Sequence, residues 1–366
     1  MEYLSQVAHV ALYYALPFVI VLGIMIFFHE LGHFLLAKYF GVKVLCFSLG
    51  FGPKLWGKQM GETEYRVSSM PLGGYVKMLG ESRDDDEPIP PEDEHRAFHN
   101  QHALKRIAIV AAGPIFNLLL AFFLFWGLFF FSGDQVLTTK IGQVRPESPA
   151  QKAGLEKDDM IVSVNGQDVA SWSEVKEQVQ LWKGPPISMT IRRAEKMKTL
   201  SVVPEAATEK NIFGEEIQSA LIGIVASGEV TNLDLGPLQS LRAGFNRTVE
   251  ITGLTCMTIV KLFQRVVPIK MLGGPIMIGQ MTGQLVQENL AYIIPFMAVI
   301  SINLAILNLL PVPILDGGVI LFLIIEMIAR RPISLKKQDL AQKVGLFLLV
   351  FLMVVVFYND IARLLE

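Results

Sequence analysis

Tyr14-Ala15-Leu16-Pro17-Phe18-Val19-Ile20-Val21-Leu22-Gly23-Ile24-Met25-Ile26-Phe27-Phe28 runs without a charge straight into His29-Glu30-Leu31-Gly32-His33. The run reads as a helix entering a bilayer, and it carries an HExxH metal signature with it. Two imidazoles four residues apart share one helix face, because 3.6 residues per turn stacks i over i+4, so both can reach one tetrahedral metal. Glu30, one residue on from the first, is placed to act as general base towards a water at that metal. Apolar sequence resumes with Phe34, Leu35, Leu36 and Ala37 before Lys38, which sets His33 about 7 Å inside the membrane boundary at a rise of ~1.5 Å per residue. Ionisable groups at membrane depth cost roughly 2.5–3.5 kcal/mol each on insertion scales, so this cluster calls for a metal or another strong partner. The bare motif also allows a solvated or core-facing pair of histidines on a soluble helix; the apolar setting argues against a soluble helix.

Composition agrees with a membrane setting. Of 366 residues, 52% are hydrophobic and 18% charged, and the mean hydropathy is +0.44, the profile of a multi-span membrane protein with soluble mass attached. A net charge of −2 gives no basic footprint for nucleic acid, and no glycine loop stands between a strand and a helix to cradle a nucleotide. Cys46 and Cys256 lie far apart and read as buried small hydrophobes rather than a disulfide. The N-terminus lacks the basic start and small-residue cleavage site of a removable signal, so the first span is expected to stay in the mature chain.

Four stretches are long and apolar enough to cross a bilayer, at about 10–37, 104–131, 291–311 and 344–358 with its flanks. Lys38, Lys43, Lys105 and Arg106 flank the first connection, and Arg330, Arg331, Lys336, Lys337 and Lys343 fill the third. The positive-inside rule therefore puts both connections in the cytosol and the termini outside. The stretch 246–263 is interrupted by Arg247, Glu250 and Lys261 and reads as an amphipathic helix at the outer surface, not a fifth span.

Between the first two spans, 41–80 alternates in the manner of β-hairpins, as in Tyr65-Arg66-Val67-Ser68-Ser69-Met70 and Gly74-Tyr75-Val76-Lys77-Met78-Leu79. At membrane depth strands are tolerated only where protein or a wet cavity receives their backbone, so a re-entrant hairpin beside the first helix is expected. The acidic, proline-rich run 81–94 reads as a solvated linker. Residues 132–230 are polar and strand-prone, the size of one small domain. There Ile141-Gly142-Gln143-Val144, Ser148-Pro149-Ala150-Gln151-Lys152-Ala153-Gly154-Leu155 and Asp158-Asp159-Met160-Ile161-Val162-Ser163-Val164-Asn165-Gly166 resemble a bacterial PDZ domain. That resemblance implies a peptide-capping loop, matched best by Leu221-Ile222-Gly223-Ile224; a β-edge with a structural glycine would look the same.

A catalytic zinc needs three protein ligands and an open position. The candidate third ligand is Asp316 in Asn308-Leu309-Leu310-Pro311-Val312-Pro313-Ile314-Leu315-Asp316-Gly317-Gly318, where prolines break the helix and glycines allow close approach. Under the deduced topology this segment and the first helix run the same way, which brings Asp316 and His33 to similar depth. The competing reading makes Asp316 the cap of a short helix over 317–329.

With HELGH in the first span, the 71–77 stretch Pro71-Leu72-Gly73-Gly74-Tyr75-Val76-Lys77, Ala112-Gly113-Pro114-Ile115-Phe116-Asn117 in the second, a PDZ-like insert and Asn-x-x-Pro-x-Pro-x-Leu-Asp-Gly in the third, the chain resembles the site-2 protease family of intramembrane zinc metalloproteases, in its bacterial RseP-like branch. The match covers nearly the whole chain. It departs in having room for one PDZ domain where familiar enterobacterial members have two, and in Val319 where a histidine is frequent.

The resemblance implies a polytopic α-helical membrane protein of four transmembrane helices with a re-entrant β-hairpin and one inserted β-rich PDZ-like domain. The expected order is a first helix within 1–40, the β region 41–80, a linker 81–102, a second helix 103–131, an extracytoplasmic domain 132–230, outer-surface helices 231–290, a third helix with the Leu-Asp-Gly motif at 291–330, a cytosolic loop 331–343 and a fourth helix 344–366. It implies one zinc per chain on His29, His33 and Asp316, with Glu30 taking and passing on the proton. Substrate backbone would meet Asn308 and the strand Tyr75, Val76, Lys77 and Met78, although Asn308 could equally serve an interhelical hydrogen bond. Asn117 reads as a tie between the second span and its neighbours. Expected substrates are single-span membrane proteins already trimmed by another protease, such as anti-sigma factors, and remnant signal peptides, cut in the bacterial inner membrane near its cytosolic face. Two rivals are a scaffold that uses the metal only structurally and a zinc transporter. The first has no use for Glu30, and the second needs a chain of polar groups across the spans.

Overall fold

In this computed structural model, residues 11–81, 89–182, 184–331 and 333–365 are described. Helix α1, Leu16–Tyr39, carries proline in its first turn, where a missing N–H costs nothing, and Lys38 in its last, where a cation meets the negative end of the helix dipole. Strands β1, Val44–Met60, and β2, Thr63–Met78, follow. Residues 46–49 of β1 pair on one side with 64–67 and on the other with 74–77. The expected hairpin is therefore a small sheet in which 74–78 forms one edge. Val44, Phe47, Val76 and Met78 are buried in one cluster with Ala37 of α1 and with Ile109 and Val110 of the next helix. The 44–50 part of β1 is thus packed inside protein, whereas 51–60 is largely exposed.

Helix α2, Ala103–Ser132, contains Pro114. A second compact unit covers Phe129–Leu241 and Phe263–Val267. It comprises β3 (Asp134–Leu137), β4 (Ile141–Val144), α3 (Pro149–Lys152), β5 (Met160–Val164), β6 (Gln167–Asp168), α4 (Trp172–Gln180), β7 (Ile187–Arg193), β8 (Lys196–Val202), β9 (Glu205–Lys210), β10 (Glu216–Leu221), β11 (Ile224–Ala226) and β12 (Val230–Leu233). Its main sheet has the order β6-β5-β7-β8, and β4 pairs with β11 while β3 pairs with β12. Ile141, Ile161, Val175, Ile187, Met189, Ile191 and Ile222 form its core. The chain continues through α5 (Pro237–Phe263), α6 (Pro275–Glu288), α7 (Ile293–Asn308), α8 (Asp316–Ala329) and α9 (Leu335–Leu365).

Four helices among the described residues are long and apolar enough to cross a membrane: Leu12–Tyr39, Ala103–Ser132, Leu290–Asn308 and Lys336–Leu365. Val21 and Met25 of α1, Leu120 of α2 and Met297 of α7 share one buried cluster, so the first three pack together.

Four expectations need correction. The loop at 331–343 is helical from Leu335, because Lys336, Lys337, Gln338, Leu340, Ala341 and Gln342 are good helix formers whatever their hydropathy. The run 81–94 is not wholly solvated: at its two ends Glu81 accepts from the Met78 N–H and Asp93 pairs with Lys43, while 82–88 lie outside the described residues. Cys46 is buried as expected, but Cys256 is exposed on α5. Asp316 is the first residue of α8, whose N-cap is Leu315, so it does not cap the helix.

Candidate metal centre

Helical spacing lays His29 over His33, and α2 crosses that face closely because two glycines remove the side chains in the way. A Cβ on Gly32 would stand 2.3 Å from the Ala112 carbonyl oxygen, and one on Gly113 would stand 2.3 Å from His33 Nε2 and 2.8 Å from His29 Cε1. Pro114 cannot donate to the carbonyl four residues back. In the turn before it, the Ile109 carbonyl accepts from His33 Nδ1 at 2.9 Å. One helix turn beyond Gly113, the fully buried Asn117 amide lies 3.3 Å from His29 Nδ1.

Asp316 arrives from the other side. After α7 ends at Asn308, the turn over 309–315 folds back on the start of α8: a Cβ on Gly317 would stand 2.2 Å from the Leu309 carbonyl oxygen, and one on Gly318 2.2 Å from that of Val312. No other residue type fits there, and the result aims the Asp316 carboxylate at the two rings. His29 Nε2 and Asp316 Oδ2 are 3.1 Å apart, His33 Nε2 and Asp316 Oδ2 3.7 Å, and the two Nε2 atoms 3.2 Å.

Those separations match a metal. Ligands on a tetrahedral zinc at bond lengths of about 2.0–2.2 Å stand about 3.4 Å from one another. Asp316 Oδ2 is buried without a hydrogen-bond partner, which is costly for a carboxylate oxygen unless a cation meets it. His33, whose Nδ1–H is spent on a backbone carbonyl, turns the lone pair of Nε2 inward. These three residues form the metal-competent group found among the described residues.

The centre lines a cavity of about 420 Å³ together with Glu30, Gly74, Tyr75, Val76, Met78 and Glu81. Glu30 faces the edge of the small sheet, beside Val76. Along this edge Leu79 N–H turns the other way, to the Lys43 carbonyl, and Met78 N–H points outward to Glu81 Oε2 at 3.1 Å. Arg106 and Glu326 line the same cavity and pair at 2.5 Å. Asn308, at the C-terminus of α7, and Lys77 are not among the lining residues. In the second unit Leu221 ends β10, Ile224 begins β11, and the Ile222 and Gly223 carbonyls accept from Ala150 and Arg145. Glu81 and the Arg106–Glu326 pair carried no signal in the sequence. Gly113 did: Gly-Pro inside an apolar span marks a close helix crossing.

Residues 17–352 match peptidase family M50. "Putative zinc metalloprotease Atu1380" of Agrobacterium fabrum is 33% identical over 363 residues, covering 96% of each chain. "Putative zinc metalloprotease Cj1068" of Campylobacter jejuni subsp. jejuni is 37% identical over 356 residues, covering 96% of this chain and 95% of that one. Among solved structures, the PDZ domain of HtrA3 bound to a phage-derived ligand is similar over 20% of this chain and 82% of that one, at 26% identity and a TM-score of 0.18.

Proposed function

This chain belongs to peptidase family M50, the site-2 proteases, and is a membrane-embedded metalloprotease; from that membership we propose that it hydrolyses peptide bonds within the transmembrane segments of single-span proteins. The observation that carries the proposal is the convergence of two imidazole nitrogens and a carboxylate oxygen, 3.1 to 3.7 Å apart, beside a fourth, acidic side chain and the edge of a small sheet. A structural metal site would need neither of the last two.

His29, His33 and Asp316 would hold one zinc ion, which when bound supplies Lewis acidity to lower the pKa of a water towards about 7 and to polarise the scissile carbonyl. Glu30 takes the proton from the attacking water and delivers it to the leaving amide nitrogen, so that the nitrogen departs as a neutral amine rather than as an amide anion. A helical substrate hides its peptide groups in its own hydrogen bonds and must unwind before it can be cut. The edge 74–78 gives the unwound segment replacement partners through strand addition and presents one peptide to the centre. Asn308 would meet that peptide from the end of α7, outside the cavity lining. The expected substrates are single-span membrane proteins already trimmed by another protease, including anti-sigma factors and remnant signal peptides, in a bacterial inner membrane. The distribution of Lys and Arg supports termini and insert outside and the centre near the cytosolic face. Resemblance of the insert to PDZ domains supports a filter that excludes bulky ectodomains or senses a new C-terminus.

The test is cleavage of a reconstituted single-span substrate by wild type and by Glu30→Gln, with bound zinc assayed in both. Turnover should fall by about 10²- to 10⁴-fold in the variant while zinc is retained. Failure of a folded, zinc-loaded wild type to cut any of several trimmed substrates would overturn the proposal.

A further inference from the structure

The two histidines are each held from behind by α2, in register: His33 by the Ile109 carbonyl and His29 by Asn117, with Gly113 midway between them. The first contact is unambiguous, since a carbonyl can only accept, and it fixes the proton of His33 on Nδ1. The second is drawn with the Asn117 amide nitrogen, Nδ2, towards His29 Nδ1, and it leaves Asn117 Oδ1 buried with no partner. That arrangement would make His29 Nδ1 an acceptor and place a proton on Nε2. A protonated Nε2 cannot be a ligand, yet it is Nε2 that stands 3.1 Å from Asp316 Oδ2 and 3.2 Å from His33 Nε2.

Amide oxygen and nitrogen are the same shape, and their assignment follows the hydrogen-bond network. Rotating the Asn117 amide by half a turn gives the orphaned oxygen a donor and turns the His29 lone pair on Nε2 inward. We propose that Asn117 is a positioning residue for the metal centre: its side-chain oxygen accepts from His29 Nδ1–H and so sets the tautomer and the ring plane in which His29 presents Nε2. Its own position is held from the third span, because Ser301 Oγ donates to the Asn117 backbone carbonyl at 2.8 Å, and both residues are fully buried. The inference rests on the reading that His29, His33 and Asp316 hold zinc.

Full-length wild type, Asn117→Leu and Asn117→Asp in detergent are loaded with Zn²⁺ or Co²⁺. Metal affinity is read by chelator competition, cobalt geometry by its visible absorption, and folding by melting of the metal-free protein. Leucine keeps the volume and removes the acceptor; aspartate keeps an acceptor oxygen. Asn117→Leu should lose about 10- to 100-fold in affinity with an altered cobalt spectrum and an unchanged metal-free melt, and Asn117→Asp should stay close to wild type. Binding by Asn117→Leu within twofold of wild type would overturn the inference. So would equal weakening in both variants together with a lowered metal-free melt, the mark of packing alone. Absence of stoichiometric metal in wild type would overturn the ligand reading itself, and the inference with it.

Discussion

A Cβ on Gly113 would collide with both imidazoles, whereas one on Gly127 of the same helix would meet nothing within 4 Å. Alanine is the better helix former by about 1 kcal/mol. Gly127→Ala should therefore leave metal binding and melting unchanged or slightly improved, while Gly113→Ala should cut zinc content by at least about tenfold with α2 still helical, as read by metal analysis beside circular dichroism. Equal zinc in the two variants would mean that the rings are not confined as described. The same contrast explains what could be read in the chain beforehand. His29, Glu30 and His33 announce themselves because helical spacing alone brings them together, and Asp316 because prolines and glycines interrupt an apolar run around it. Asn117 gives no such local sign. Its meaning lies in a contact across 88 residues, and an asparagine in a span reads equally well as a tie between helices.

At the scale of elements, the alternation in 65–70 and 74–79 marks strands, but that 46–49 is shared between 64–67 and 74–77 depends on registers no local pattern encodes. The arrangement leaves 74–78 as an edge whose Met78 N–H is taken by Glu81. A substrate strand adding there must displace that carboxylate. Glu81→Ala should then lower KM for a single-span substrate by about 2- to 10-fold, the net worth of one hydrogen bond at ~0.5–1.5 kcal/mol; an unchanged KM in the reconstituted assay would argue that substrate docks elsewhere. The turn between β1 and β2 is fastened by a different carboxylate. Hydrogen bonds from Arg96, then from Lys38, hold Glu62 below its ordinary value of 4.5. A lowered pKa in the folded state means that the bridge stabilises fully above the ordinary value, and that its contribution disappears as pH falls through the lowered one. Glu62→Gln should melt below wild type at pH 7, by no more than about 1 kcal/mol for so exposed a pair, and the two melting curves should converge on acidification below pH 4.5.

For the whole molecule, the division into two compact units decides what can be removed. The first unit draws its residues from Met1–Leu128, Arg242–Leu262 and Pro268–Glu366, and the metal centre, its cavity and the small sheet lie within it. In the second, Leu137 pairs with Val230 and Asp134 with Leu233. Deleting 138–227 leaves that ladder intact across the two residues Gly228-Glu229, with Gly228 already at a φ of +82°, as short hairpin turns demand. The truncated protein should bind zinc as wild type does and cut a trimmed substrate, and should also admit an untrimmed one. Full discrimination retained by the deletion would remove the filter role proposed for the insert.

The pairing of β3 with β12 also closes everything between them into a loop with fixed ends. The entropy of closing a loop grows only as the logarithm of its length, so doubling the enclosed chain adds about 0.6 kcal/mol. Gene duplication between these two strands would therefore meet almost no thermodynamic resistance. In closure entropy alone, a second domain inserted beside the first would cost this stem about 0.6 kcal/mol, the size of an ordinary surface mutation.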